Sequence, residues 1–281
     1  MHALIERYGH PVDAPVLPPC NMQRSYDRYY SSGLYASRYP RPNPHLFHLI
    51  RGELALAGGR VLDFGCGSGR YAVPLACLPG VSVFAYDISP AAIRELSSRC
   101  GEMTERRGAP VPLDLLCGSL EDLDKRLRDD DGFDLVTLLF GVLGHIEGRA
   151  RRVSVLRSLG ARLRPGGRLI ATVPNRARRF RAEQMMAQPL VAEGLLEDGD
   201  IRYERRSDGQ SIELFYHLYS LSEFRSELAE AGFVVSRVAA ESVMTERAVL
   251  ASPLCAAADR ALCRVLPTPL AYGFVAVAHP A

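Results

Sequence analysis

The run Val61-Leu62-Asp63-Phe64-Gly65-Cys66-Gly67-Ser68-Gly69-Arg70 decides the fold, because it sets three glycines at alternate positions directly after a short apolar strand. Glycine has no Cβ, so such a turn can take positive φ and lie flat against a ligand, while a helix beginning just beyond it supplies free N–H groups. Asp63 leaves a carboxylate at the carboxyl end of the strand, the edge at which open α/β sheets bind ligands. A dinucleotide fingerprint G-x-G-x-x-G would need glycine at position 70, where the chain has Arg70, and a phosphate loop would need Gly-Lys-Ser/Thr, which is absent. The turn therefore suits a nucleoside better than a pyrophosphate.

The pattern downstream alternates strand and helix. Tyr71 to Leu78 reads as a short helix, and Val81 to Tyr86 as a second strand that ends at Asp87. A carboxylate at that tip can accept hydrogen bonds from both hydroxyls of a ribose. Ser89-Pro90 reads as the N-cap and first position of a helix whose apolar face is Ile93, Leu96, Cys100 and Met103. Leu113 to Cys117 is a third strand and Phe133 to Leu139 a buried fourth, entered through Asp131-Gly132. Arg149 to Leu163 is an amphipathic helix stopped by Pro165-Gly166-Gly167, and Arg168 to Val173 is a fifth strand. Ser220 and Glu223 form a capping box for a helix that ends at Gly232. Phe233 to Val238 and about Tyr272 to Ala278 are the remaining strands, the last expected to run in reverse.

The D-x-G-x-G-x-G run at 63–69, the acidic tip at Asp87 and the phrase Leu163-Arg164-Pro165-Gly166-Gly167-Arg168-Leu169 together resemble the class I S-adenosylmethionine (SAM) dependent methyltransferases. The resemblance is strong over residues 58–174 and moderate over 216–279. It implies an α/β fold: a seven-stranded, mostly parallel, Rossmann-like sheet with helices on both faces, with SAM across the carboxyl edge and S-adenosylhomocysteine as product. It implies cofactor contacts from Asp63, Gly65, Cys66, Gly67 and Gly69, with Asp63 organising the glycine loop and the methionine amino group. Asp87 and Ile88 would follow at the second strand, Ser119 (through its backbone) and Leu120 against adenine after the third, and Phe140 after the fourth. The expected organisation is an N-terminal lid at 1–57 and a methyltransferase domain at 58–281, with a cap inserted at about 175–216.

Residues 20–48 carry Tyr26, Tyr29, Tyr30, Tyr35 and Tyr39 among Arg24, Arg28, Arg38 and Arg41. In related enzymes this segment folds over the cofactor, so Tyr26, Tyr35 and Arg38 are expected at SAM, and Tyr30 and Tyr39 at the substrate. Packing of the lid helices is the alternative for each ring. Asn175 to His217 is too long for an ordinary loop and is expected to cap the substrate, with Arg179 and Tyr216 in contact with it. Its two arginine groups, Arg176, Arg178, Arg179, Arg181 and then Arg202, Arg205, Arg206, could grip a carboxylate or phosphate, or simply be solvated. His145 and His217 are the candidate general bases, His145 at the wall of the acceptor pocket or else packed on the sheet at a helix start.

At 281 residues, the chain can bury one large core or one core plus a modest cap, and 47% hydrophobic with 23% charged residues is ordinary for a globular enzyme. Lys125 is the only lysine among 34 basic residues, a bias that genomic base composition explains. Seven cysteines form no C-x-x-C pair and no Cys/His ligand spacing, so neither a metal site nor a disulfide framework is expected, which fits a reducing cytoplasm. The first seven residues carry an acid where a signal peptide would carry its apolar run, and the apolar stretch Leu135 to Leu143 is too short to span a bilayer. A cytoplasmic protein without a membrane partner is expected, and no feature of the pattern specifies an oligomeric state.

The leading functional expectation is methyl transfer to oxygen or nitrogen of a small, acidic molecule. Phe215-Tyr216-His217-Leu218-Tyr219-Ser220 and Arg38-Tyr39-Pro40 are similar to the methyltransferases that esterify a carboxymethyl group on the wobble uridine of transfer RNA. A pI near 8.2 is below the strongly basic balance of a dedicated RNA binder, so nucleic acid is the alternative substrate and a small molecule the favoured one. A catalytically silent SAM-binding scaffold for a partner protein is the third reading.

Overall fold

Strand β1 (Arg60–Phe64) lies at the centre of a seven-stranded sheet because both of its faces are apolar: Val61 and Leu62 are wholly buried, one on each side. The computed structural model describes residues 20–207 and 209–281, so the reading of the first seven residues lies outside it. The strands that follow are β2 (Ser82–Asp87), β3 (Leu113–Cys117), β4 (Phe133–Leu138), β5 (Leu163–Pro174), β6 (Asp200–Ser207), β7 (Gln210–His217), β8 (Phe233–Ser242) and β9 (Gly273–Pro280). The large sheet has the order β3-β2-β1-β4-β5-β9-β8, and β6 and β7 form a separate hairpin. β1 pairs in parallel with β2 and β4, whereas β9 pairs antiparallel with β5 and β8, which is the reversed strand expected from the sequence.

Side chains alternate across the strands and so build two cores. Leu62, Phe84, Val136 and Leu138 meet Val153, Leu156, Phe224 and Leu228 from helices Arg149–Gly160 and Leu221–Glu230. Val61, Val83, Leu135 and Ile170 meet Leu46, Ile50, Leu75 and Leu96 on the other face. Each such side chain contributes about 1.5 to 3 kcal/mol on leaving water. Helix Pro44–Ala57 supplies Leu46 and Ile50 to this second core and so flanks the sheet, whereas Tyr29, Tyr30 and Tyr35 of helices Met22–Ser31 and Leu34–Arg38, in the expected lid, pack in a separate cluster.

The local stop and start signals act as expected, with one shift. Ser89 caps helix Pro90–Arg107 by accepting the Ala92 N–H at 3.2 Å, and the Ser220/Glu223 box opens helix Leu221–Glu230. Helix Arg149–Gly160 ends earlier than its apolar stripe suggests, because the Phe133 N–H donates to the Arg162 carbonyl at 2.8 Å. Sheet pairing thus begins before the turn, and Pro165-Gly166-Gly167 becomes an excursion between Leu163, opposite Phe133, and Arg168, opposite Leu135. The segment after β5 forms helix Arg181–Ala192 and the β6–β7 hairpin, and Ile212 and Leu214 of β7 pack on Tyr29, Tyr30 and Tyr35 of the lid. Among the described residues no helix is long and apolar enough to cross a membrane.

Candidate functional site

Gly65, Gly67 and Gly69 all adopt positive φ (73°, 54° and 78°) at the carboxyl end of β1. The Gly65 and Cys66 N–H groups donate to the Tyr86 carbonyl at 2.8 and 3.0 Å, and the Gly67 N–H donates to Asp87 Oδ2 at 2.8 Å. The tip of β2 therefore organises the loop. Asp63, expected in that role, instead accepts the Thr137 hydroxyl at 2.8 Å beneath the loop. Thr137 on the neighbouring strand β4 takes up one oxygen of this carboxyl. Burial pushes the Asp63 carboxyl up to about 7, opposed by Thr137 and reinforced by Asp87. Asp87 also accepts the Ser89 N–H at 2.9 Å, and burial raises it to about 6 against the pull of its backbone donors. A carboxylate has about four acceptor sites, so each Asp87 oxygen retains capacity for a further donor.

Above this turn lies a cavity of about 160 Å³, lined by Tyr26, Tyr30 and Tyr35 from the lid, Gly65, Asp87 and Ile88 from the first two strands, Leu120, and Phe140 and His145 after β4. Eight of the expected residues thus meet here: Tyr26, Tyr35, Gly65, Asp87, Ile88, Leu120 and Phe140 from the cofactor set, and His145, which the sequence assigned to the acceptor side. Tyr30, expected at the substrate, joins them, its hydroxyl resting on the Gly67 backbone where a Cβ would collide with it. Gly69 packs on Leu96 instead, and Cys66 is buried in the core beneath the turn. Ser119 is exposed, and Asp122 takes both its N–H and its hydroxyl at 2.8 Å, so the expected backbone donor to adenine is already used in a capping box. His145 Nδ1 lies 2.7 Å from the Phe215 carbonyl, which can only accept, so this nitrogen carries the proton and Nε2 is left as an acceptor. The ring stacks on Tyr216 at 4.1 Å, and burial pulls its pKa down to about 4.

A second cavity of about 810 Å³ adjoins the first across Phe140, which lines both. Phe140 is one of two described non-glycine residues at positive φ (59°), a conformation found mainly where surrounding contacts hold it. Tyr39 meets its ring edge-on at 4.6 Å and the Arg70 guanidinium sits 4.7 Å from its centre. The larger cavity gathers Tyr39, Arg179 and Tyr216 as expected for substrate contacts, and also Arg38, which was expected at the cofactor. Arg181, Arg205 and Arg247 line it too, with no ion pair among the described residues. The basic runs are therefore divided by the fold, since Arg176 pairs with Asp198 at 2.7 Å and Arg178 bonds the Leu270 carbonyl at 2.7 Å.

His217, the other candidate base, lies in neither cavity. Its Nδ1 is 2.6 Å from Asp200 and its Nε2 3.2 Å from Glu223, so both nitrogens donate and the ring is an imidazolium. Burial pulls its pKa down, but the two carboxylates outweigh this and hold it raised. Arg152, also buried, bonds Glu227 at 2.7 Å and Glu197 at 2.8 Å alongside. This network ties the β6–β7 hairpin to the two helices beneath it.

Sequence reasoning missed Glu241, Tyr272 and Glu246 in the larger cavity. They stand near the ends of the last two strands and the helix between, where no local motif marks them. A composition signal existed only in the density of aromatic residues elsewhere in the chain.

A family model described as a methyltransferase domain matches residues 35–238. The ubiquinone biosynthesis O-methyltransferase of Xanthomonas euvesicatoria pv. vesicatoria is 31% identical over 134 residues, 48% of this chain and 51% of that protein. The chain thus spans about half the length of the curated relatives it matches. Among solved structures, the CcbJ methyltransferase from Streptomyces caelestis superposes with a TM-score of 0.58 at 19% identity, covering 88% of this chain and 96% of that one. An S-adenosylmethionine-dependent methyltransferase from Clostridium acetobutylicum gives 0.59 at 12% identity, covering 91% and 99%. At these identities the two structures show a shared fold.

Proposed function

The chain belongs to the methyltransferase-domain family, whose model covers most of its length, and from that premise we propose that it binds SAM at the glycine turn and transfers the methyl group to a small, acidic molecule in the larger cavity. The observation that carries this reading is the pair of adjoining cavities. One has a carboxylate and apolar walls beside a positive-φ glycine turn, and the other has arginines and aromatic rings. The smaller cavity fits the cofactor: Asp87 offers acceptors for ribose hydroxyls, Ile88 and Leu120 offer apolar walls to a base, and Gly65 has no room for a Cβ, which would strike Val142.

SAM, when bound, supplies a methyl group already activated on a sulfonium. The protein is left with positioning and exclusion of water. Alignment of reacting groups can provide up to about 7 to 11 kcal/mol of a barrier, and the tyrosines of the lid, with Phe140, close the site over the reacting edge. Arg179 and its arginine neighbours suit an anionic acceptor, which supports an acidic molecule. The free cysteines suit a reducing compartment and support a cytoplasmic location. Calorimetric titration with SAM and S-adenosylhomocysteine, followed by methyl transfer from labelled SAM to a panel of small acids, tests the reading. A protein that binds neither nucleoside would sink it.

A further inference from the structure

β8 departs from regular pairing near its end. Ala240 faces Phe274 and Ser242 faces Gly273 on β9, which leaves Glu241 as the extra residue of a bulge. A bulge re-aims the side chain it carries, and here Glu241 lines the larger cavity. Glycine at 273 makes the room, since a Cβ there would collide with the carboxyl oxygen. Thr172, Arg179 and Arg70 favour the charged form of the Glu241 carboxyl, and Glu246 repels it. Tyr71, Tyr216 and Cys263 also face it. Thr172 itself accepts the Gly141 N–H at 3.3 Å, in the loop between the two cavities.

Arg179 lines the same cavity and is incompletely paired. Its Nε is buried with no hydrogen-bond partner, while its guanidinium is framed by the rings of Phe180, Tyr216 and Tyr272 at 5.3, 5.7 and 4.8 Å. A carboxyl and an under-partnered cation between aromatic walls form a place where a hydroxyl can lose its proton while bound. We propose that Glu241 is the proton acceptor for a phenol or enol hydroxyl and that Arg179 stabilises the oxyanion left behind. This rests on the methyl-transfer reading above. The hydroxyl proton passes to a Glu241 oxygen, and the O–H electron pair stays on the acceptor oxygen. That oxygen forms the new O–CH₃ bond as the pair of the breaking S–CH₃ bond leaves on sulfur. The products are neutral Glu241, an O-methyl compound and S-adenosylhomocysteine. Burial, helped by Glu246, raises Glu241 to about 8, so its protonated form is stable in place. Its ionised fraction grows over a range in which a phenol, with a pKa of about 10, is still protonated.

The test compares wild type with E241Q and E241D. S-adenosylhomocysteine affinity is measured first, then methyl transfer to two probes, 4-methoxyphenol, which stays protonated near neutral pH, and the more acidic 4-nitrophenol. With 4-methoxyphenol, kcat is expected to fall about 10²- to 10⁴-fold in E241Q, to lose its rise with pH, and to recover in part in E241D. With 4-nitrophenol, which needs less help to ionise, the loss is expected to stay under about tenfold. Nucleoside affinity should be unchanged throughout. Equal losses on both phenols would make Glu241 structural and overturn the proposal. So would no loss on either, or a wild-type protein that binds S-adenosylhomocysteine yet methylates neither phenol. Failure of the wild type to bind the nucleoside would instead reject the methyl-transfer reading, and this proposal with it.

Discussion

The Asp27 carboxylate accepts the Ala91 N–H at 2.7 Å and the Ser89 hydroxyl at 3.2 Å, so a residue of the lid helix caps the helix that follows Asp87. Together with Tyr30 on the Gly67 backbone, this latches the lid on both sides of the carboxylate assigned to the ribose. The cavity beneath, about 160 Å³, is smaller than the roughly 300 to 1,000 Å³ usual for ligand pockets. Release of this latch would enlarge the space open to a nucleoside.

Asp27→Ala should therefore speed both association and dissociation of S-adenosylhomocysteine. Loss of a cap of this kind costs about 0.5 to 2 kcal/mol, and that destabilisation should fall on the lid. The chain has no tryptophan, so stopped-flow tyrosine fluorescence reads the lid directly. Unchanged rates would mean that the lid does not gate the site.

Asp87→Ala should weaken SAM at least tenfold, about 1.4 kcal/mol, measured by calorimetry. Because Asp87 also holds the Gly67 N–H, Asp87→Asn, which keeps an acceptor, is the control for loop collapse. If Asp87→Ala bound SAM as tightly as the wild type, the ribose assignment would be wrong.

Asp63 links stability to pH with a definite sign. Its pKa rises from 3.8 to about 7 on folding, so the folded chain holds a proton that the unfolded chain releases. The stability this confers is fully present below 3.8 and is lost as pH rises through about 7. Asp63→Asn retains an acceptor for Thr137 and has no proton to lose, so it should gain on wild type as pH rises, by roughly 1 to 4 kcal/mol at the upper end. Urea melts on either side of that range would show it, and parallel curves for the two proteins would refute it.

His145 should contribute as a wall and not as a titrating base near neutral pH, because burial holds it at about 4 and Phe215 fixes its proton on Nδ1. His145→Ala is expected to weaken S-adenosylhomocysteine about tenfold, some 1.4 kcal/mol, and to leave the upper limb of the pH–rate profile in place. Loss of that limb in His145→Ala would return the histidine to the proton-transfer step.

His217→Ala should cost about 3 to 5 kcal/mol, since removing one partner leaves buried carboxylates uncompensated. The raised His217 pKa means that its contribution is full below the ordinary 6.5 and disappears as pH climbs through its higher folded value. Thermal melts across that range should show a decline in wild type that His217→Gln lacks.

The legible part of this protein was local. Gly65, Gly67 and Gly69 after an apolar strand, Asp87 at the next tip, and the Ser89 and Ser220 caps all announce themselves within a few residues, and each stands where its pattern placed it. Where the local pattern was read one step too far, a competing partner had intervened. Ser119 gives its N–H to its own cap at Asp122, and the end of helix Arg149–Gly160 yields to pairing between Phe133 and Arg162.

By itself, then, the sequence determined a mostly parallel sheet and, at its carboxyl edge, the glycine loop and the Asp87 carboxylate, because backbone conformation and hydrophobic period act over short chain distances. Only the tertiary structure decided which of two similar residues lines a cavity and which is locked in a buried ion network. His217 reads like His145 until Asp200 and Glu223 close on both its nitrogens. Glu241 reads like any exposed strand residue until one bulge against β9 turns it toward Arg179, far away along the chain. Burial and charge at those points depend on neighbours that only folding brings together.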